Sequence, residues 1–300
     1  MSSPHWEPRT VITSERADPA PVAALAALFD DGIPAPRPGD ELPPLWHWVA
    51  LPRWPAAADL GPDGHPARGD FLPPVDLPRR MFAGGELTFH APLHVGETVR
   101  RESTVESVTE KDGRSGKLVI AAVRTRLSTE DGMLAIDERQ DLIYREAGSA
   151  AYTPPPVEDA AALRPSGSPF RRAATGNWEF TTDPTLLMRF SAATANPHRI
   201  HYDWPYTTRV EGYPGLVVHG PLMSLALAEA LRLDRVPGRV VRLAHRNKAP
   251  LFCGESARLD LAQCEDGCTA DLIGPGGTVR TSLTVHIGLN GPVRTDGEGR

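Results

Sequence analysis

Two histidines three residues apart, His198 and His201, stand in Thr194-Ala195-Asn196-Pro197-His198-Arg199-Ile200-His201-Tyr202-Asp203. Downstream the chain reads Gly215-Leu216-Val217-Val218-His219-Gly220. Imidazole gains and loses a proton near neutrality, so these positions can do general acid–base work. His201 is the leading candidate, either taking a proton from water or removing one from a carbon next to a carbonyl. The plain alternative is a turn histidine bonded to nearby backbone. His198 can share that proton work, orient His201 or meet a carboxylate, and is otherwise a solvated turn residue.

The neighbours divide in the same way. Asn196 suits a helix end, and its amide can also hold water or a carbonyl. Asp203 can orient a histidine or point elsewhere. Arg199 offers a fork of donors to a phosphate or carboxylate. Gly220, at a helix start, lets a carbonyl approach unpaired backbone N–H groups that favour developing negative charge, or simply permits tight packing. His219 shapes the surroundings. No Gly-x-Ser-x-Gly nucleophile turn occurs, and His-x-x-His-x-Asp is not a diagnostic ligand spacing, so no metal is expected.

Further upstream, Arg79-Arg80-Met81-Phe82-Ala83-Gly84-Gly85 combines positive charge with a compact backbone ahead of a strand. Arg79 and Arg80 are candidates for phosphate contact. Trp46-His47-Trp48, with Trp54 nearby, lines a ligand path or forms a core patch.

A length of 300 residues with 40% hydrophobic side chains allows one large or two medium domains. The net charge of -6 gives no field for a polyanion, so no nucleic-acid partner is expected. Three cysteines, Cys253, Cys264 and Cys268, form no paired metal pattern, and no secretion signal precedes them. A reducing cytoplasm fits. No apolar run is long enough to cross a bilayer, so no membrane partner is expected.

These groups need a scaffold, and the sequence suggests a doubled one. Ala-Pro-Leu-x-x-Gly-Glu occurs at Ala91–Glu97 and again at Ala249–Glu255, each time between strand-like runs. Between them, Ala147 to Arg171 is rich in Pro, Ala and Ser, which suits a linker. The expected division is a first half over 1–150, a linker over 151–170 and a second half over 171–300. In the first half a helix is expected near Pro21 to Phe29, then a Pro-rich surface excursion to about Pro78, then strands. Leu118 to Leu127 and Gln140 to Tyr144 are strand candidates, with turns at Lys111 to Arg114 and Glu130 to Gly132. In the second half one helix starts at Asp183-Pro184 and another after His219-Gly220-Pro221. Strands follow near Val240–Asn247, Ser256–Leu261, Cys268–Gly274 and Arg280–Leu289. A long helix followed by antiparallel strands gives an α+β fold with a sheet wrapped around a central helix.

On four segments the chain resembles the MaoC-like hydratase/dehydratase family with duplicated hotdog domains. They are Pro78 to Gly85, Gly113-Arg114-Ser115-Gly116, Asn196 to Asp203 and Glu211 to Pro221. The resemblance implies a double hotdog and a thioester of coenzyme A as substrate, with no metal or redox cofactor. In the usual family pattern an Asp, an Asn-Pro and a His follow the helix, and Asp and His form the acid/base pair. Asn196-Pro197 and His201 match, but Thr194 stands in the acidic position and His198-Arg199 lies between. His198 is favoured as the second group, with Asp203 a third choice. The first half then forms the coenzyme A and acyl wall, Arg79, Arg80 and Arg199 meet the carrier's charges, and a homodimer is possible. The implied reaction is reversible water addition to a short dicarboxylic enoyl-CoA, with mesaconyl-CoA and a methylmalyl-type product leading. A carrier-protein thioester, a hotdog thioesterase and a non-catalytic acyl-thioester binder are the alternatives.

Overall fold

The structure, a computed structural model, describes residues 6–113, 116–146, 165, 167–264 and 267–288. Most of the linker expected over 151–170, and the centre of the Gly113 to Gly116 motif, lie outside the described residues.

In the first half, β1 (Thr10–Arg16) leads to α1 (Pro19–Phe29) and the short α2 (His47–Ala50). Four long strands follow: β2 (Arg79–Phe89), β3 (Thr98–Gly113), β4 (Gly116–Ser128) and β5 (Leu134–Arg145). The second half opens with β6 (Phe170–Arg172) and β7 (Trp178–Thr181), then α3 (Pro184–Ala193), α4 (Trp204–Arg209) and α5 (Gly220–Leu233). It closes with β8 (Arg239–Asn247), β9 (Ser256–Cys264), β10 (Gly267–Ile273) and β11 (Val279–Gly288).

All the strands join one antiparallel sheet in the order β1-β3-β4-β5-β2-β8-β11-β10-β9-β7-β6. The halves meet where β2 pairs with β8, through Gly84 opposite Arg246 and Leu87 opposite Leu243. There β2 is bulged between Phe82 and Gly84, and Gly84 has φ +151°. A Cβ on Gly84 would overlap the His245 carbonyl oxygen. Only glycine lets three strands approach at that point. Arg79 to Gly85 is therefore part of a strand, not a compact segment before one.

Local signals set the helix starts. Asp183 caps α3, accepting from the N–H groups of Thr185 at 2.8 Å and Leu186 at 3.0 Å, with Pro184 at the first position. α5 is buried along Leu222 to Leu231 and packs on β2, β9, β10 and β11, so sheet from both halves covers it. No helix among the described residues of the first half matches it in length. α1 and the four-residue α2 supply Val22, Leu25, Phe29, Val49 and Ala50 to the core instead. Leu45 and Trp46 are buried with them, so the Pro-rich stretch before Pro78 is not wholly a surface excursion.

The two Ala-Pro-Leu-x-x-Gly-Glu copies occupy like turns. Gly96 and Gly254 have φ of +90° and +87°. Glu97 N–H donates to His94 O and Glu255 N–H to Phe252 O. No helix among the described residues is long and apolar enough to cross a membrane.

Candidate active site

The site is built on the loop that leaves α3. Ala195 takes the left-handed conformation, φ +50°, and Asn196 N–H returns to Ser191 O at 2.9 Å, ending the helix. Asn196 Oδ1 then accepts from His198 N–H at 3.1 Å. A short 3-10 turn over Arg199–His201 follows. Asp203 caps α4, accepting from Tyr206 N–H at 3.1 Å.

His201 is buried, and its Nδ1 lies 2.7 Å from the Val217 carbonyl oxygen. A carbonyl only accepts, so Nδ1 carries the proton and Nε2 keeps a lone pair. Burial pushes this imidazole down to about 3, against a weaker opposing pull from the Val217 bond. His201 is thus a neutral base at ordinary pH. His219 stacks behind it, ring centroids 3.6 Å apart, and is itself tied to Ser191 Oγ at 2.8 Å. His198 stands edge-on to His201 at 5.4 Å, and burial holds it well below the ordinary histidine range.

His198 and His201 face a cavity of about 710 Å³ that draws its walls from both halves. Asn196, Gly220 and Arg80 line it, as do Trp48, Phe82 and Lys248. Trp46 is core, whereas His47 and Trp48 reach the cavity and both bond to buried Glu138, at 3.2 and 2.7 Å. The patch is therefore split between two roles. Gly220 opens α5, whose leading N–H groups have no carbonyl within their own helix. A Cβ at Gly220 would stand 2.5 Å from Asn247 Nδ2 and 3.2 Å from Phe82. Packing alone thus requires glycine there.

The arginines divide. Arg79 pairs with Glu211 at 3.1 Å, bonds its backbone carbonyl as well, and lies over the Tyr213 ring. Arg199 binds Asp203 at 2.8 Å, donates to Pro62 O at 3.0 Å and covers Tyr206. Both guanidinium groups are taken up by the protein and neither lines the cavity. Asp203, held by Arg199 and its capping bond, is likewise not the orienter of His201. Thr194 Oγ1 donates to Phe190 O at 2.7 Å, so its hydroxyl serves the helix end. Arg80 differs: it lines the cavity and makes no ion pair among the described residues. Burial pushes its guanidinium below the usual range.

One part of the site was not anticipated. Asp63 and His65, from the Pro-rich stretch of the first half, reach His198, and the His65 ring centroid is 4.0 Å from that of His198. The only local signal was Gly61-Pro62-Asp63-Gly64, a turn that presents His65. Asp63, His65 and His198 bring three ligand-type atoms within 4.8 Å of one another. The Arg80 charge acts on all three, which opposes a cation there.

Residues 45–253 match the profile of a family described as hydroxyacyl-thioester dehydratase type 2. The chain is 42% identical to mesaconyl-C(4)-CoA hydratase of Chloroflexus aurantiacus, over 94% of this chain and 97% of that one. It is 24% identical to the mitochondrial hydroxyacyl-thioester dehydratase type 2 of Schizosaccharomyces pombe, over 84% and 90% of the two chains. Among solved structures, HtdX of Mycobacterium tuberculosis superposes with a TM-score of 0.65 at 20% identity, covering 93% of this chain and 100% of that one. A conserved hypothetical protein of the same organism, described as a double hotdog fold, gives a TM-score of 0.54 at 16% identity, covering 94% and 95%. The eleven-stranded sheet is thus a double hotdog of the α+β class.

Proposed function

The chain belongs to the hydroxyacyl-thioester dehydratase type 2 family, and from that premise we propose that it reversibly hydrates a short dicarboxylic enoyl-CoA, with mesaconyl-CoA as substrate. It is a hydro-lyase. The observation that carries the reading is the neutral His201, its Nδ1–H fixed by Val217 and its Nε2 lone pair left for a water in the cavity. The thioester oxygen would meet the first N–H groups of α5 at Gly220, where enolate charge develops. Asn196 holds the His198 backbone, so its role is to position.

Arg80 supports the dicarboxylic substrate. Burial of the Arg80 guanidinium outweighs its interactions with Tyr144 and Asp63, so an added anion beside it would be favourable. In either mesaconyl thioester the free carboxylate sits on the β carbon, next to the point of water attack. Arg80 lines the same cavity as His65 and His198, and its charge acts on both, so that carboxylate would fall within its reach. Arg80 would therefore bind the acyl group and not the carrier's phosphates, for which Lys248 on the cavity wall is available. A thioester at C4 places the methyl group on the β carbon too, giving a tertiary alcohol. A thioester at C1 gives the methylmalyl-type secondary alcohol. Coenzyme A enters as part of the substrate. A cytoplasmic setting and a homodimer belong to the same proposal; a bacterial relative fits the former and the open edges at β1 and β6 the latter.

The test is incubation with mesaconyl-CoA of each linkage and with crotonyl-CoA, following enoyl absorbance and product mass. Gain of one water on a mesaconyl thioester, abolished in His201→Ala, supports the reading. Release of free thiol would replace it with thioester hydrolysis.

A further inference from the structure

The family pattern places an acidic residue where this chain has Thr194, and the hydroxyl of Thr194 is engaged by Phe190 O. A carboxylate does reach the site by another route. Gly61 to Gly64 form a turn closed by Gly64 N–H to Gly61 O at 3.0 Å, with Pro62 at its second position. Gly64 has φ +89°, and a Cβ there would overlap the Pro197 carbonyl oxygen. The turn is thus pressed against the loop that carries His198 and His201. Two bonds hold it there: Arg199 N–H to Asp63 O, and the Arg199 guanidinium to Pro62 O, both 3.0 Å.

On this platform Asp63 grips His65 twice. Its Oδ1 accepts from His65 N–H at 3.0 Å and its Oδ2 lies 3.2 Å from His65 Nδ1. The carboxylate is held below its usual range by His65 and Arg80 even though burial acts the other way. An ionised carboxylate only accepts, so Nδ1 carries the proton and Nε2 of His65 is left free. His65 lines the cavity beside His198 and His201.

The geometry points to the Asp63–His65 pair as the proton carrier of the reaction, taking the place of the acidic residue that Thr194 does not supply. This rests on the hydratase reading above. Among the imidazoles that face the cavity, His65 and His201 each hold Nδ1–H on an acceptor and leave Nε2 open, and they differ in that acceptor. His201 has a peptide carbonyl behind Nδ1, whereas His65 has a carboxylate, whose bond and charge favour the imidazolium against burial and the nearby Arg80 charge. Water would be held between them, one hydrogen on each Nε2. As its oxygen bonds to the β carbon, His65 takes one proton and the π electron pair moves to the thioester oxygen at α5. The imidazolium, paired with Asp63, then returns that proton to the α carbon as the enolate collapses. One O–H bond breaks, one C–O and one C–H bond form, and no proton is left over.

Deuterium uptake from D2O into methylsuccinyl-CoA linked through C4 isolates the proton transfer, because this saturated thioester has acidic α hydrogens and no hydroxyl to lose. Product mass reads the uptake. Wild type exchanges; His65→Ala and the isosteric Asp63→Asn lose about a hundredfold or more in rate. Added imidazole restores exchange to His65→Ala, which a merely structural histidine would not allow. Thermal melts confirm that both variants are folded. Exchange at the wild-type rate in either variant, or no imidazole rescue of folded His65→Ala, overturns the assignment. If wild type hydrates neither mesaconyl thioester, it is the functional reading that fails.

Discussion

The Nδ1–H of His201 donates to the Val217 carbonyl at 2.7 Å, across the junction between the catalytic loop and the strand-like run that enters α5. That bond fixes tautomer and ring orientation together. One contact thus ties the His201 ring to the segment that enters α5.

His201→Ala removes the group that holds and polarises the water. A fall in kcat of about 10²- to 10⁴-fold is expected, with KM for the thioester little changed. Steady-state hydration of mesaconyl-CoA measures both. A large rise in KM with kcat intact would mean that His201 binds substrate instead.

Arg80→Gln separates substrates. KM should rise at least tenfold for mesaconyl-CoA and stay near its starting value for crotonyl-CoA, which has no second carboxylate, because each 1.4 kcal/mol of lost contact is about tenfold. Equal loss on both thioesters would place Arg80 at the carrier.

Gly64→Ala puts a methyl group into the Pro197 carbonyl at a φ that side chains rarely adopt. The turn must move away from the loop, carrying Asp63 and His65 with it. A stability loss of about 1–3 kcal/mol and a larger loss of kcat are expected. Denaturant melts and steady-state rates would show whether the two losses separate.

Acid should weaken the fold through its buried histidines. Burial holds His65 and His245 at about 4, His201 at about 3, and His198 and His219 well below the usual value. Below about pH 6.5 the unfolded chain binds protons that the folded chain refuses, so stability falls as pH falls. Glu229 acts in the opposite sense: burial raises it to about 7, so its contribution declines as pH rises from its unfolded value towards 7. Tm should drop between about pH 7 and pH 5. Glu229→Gln should make that drop steeper, since it removes the opposing titration.

Much of the second half is legible in the sequence. The starts of α3 and α5 were set by Asp183-Pro184 and by Gly220-Pro221, because capping and the absent proline N–H act between immediate neighbours. The repeated Ala-Pro-Leu-x-x-Gly-Glu marked two like turns for the same reason, since each needs a glycine at positive φ. His201 stood out by residue type and position after a helix.

Tertiary structure alone decided which charged groups are free and which distant turn joins the loop. Arg79 and Arg199 read as phosphate contacts until folding gave them Glu211 and Asp203. Pro62 bonds Arg199 across 137 residues of chain, and through that contact Asp63 and His65 enter the site. Periodicity and capping report energies between near neighbours, whereas this meeting depends on β2 closing against β8 and on Gly64 fitting under Pro197. The sequence by itself determined the helix starts, the repeated turn and the candidate histidine His201, because those follow from local chemistry. Long-range packing decided the place of Asp63 and His65 and the burial of Arg80 on the cavity wall, because a side chain's partners are settled only once the sheet has brought them together.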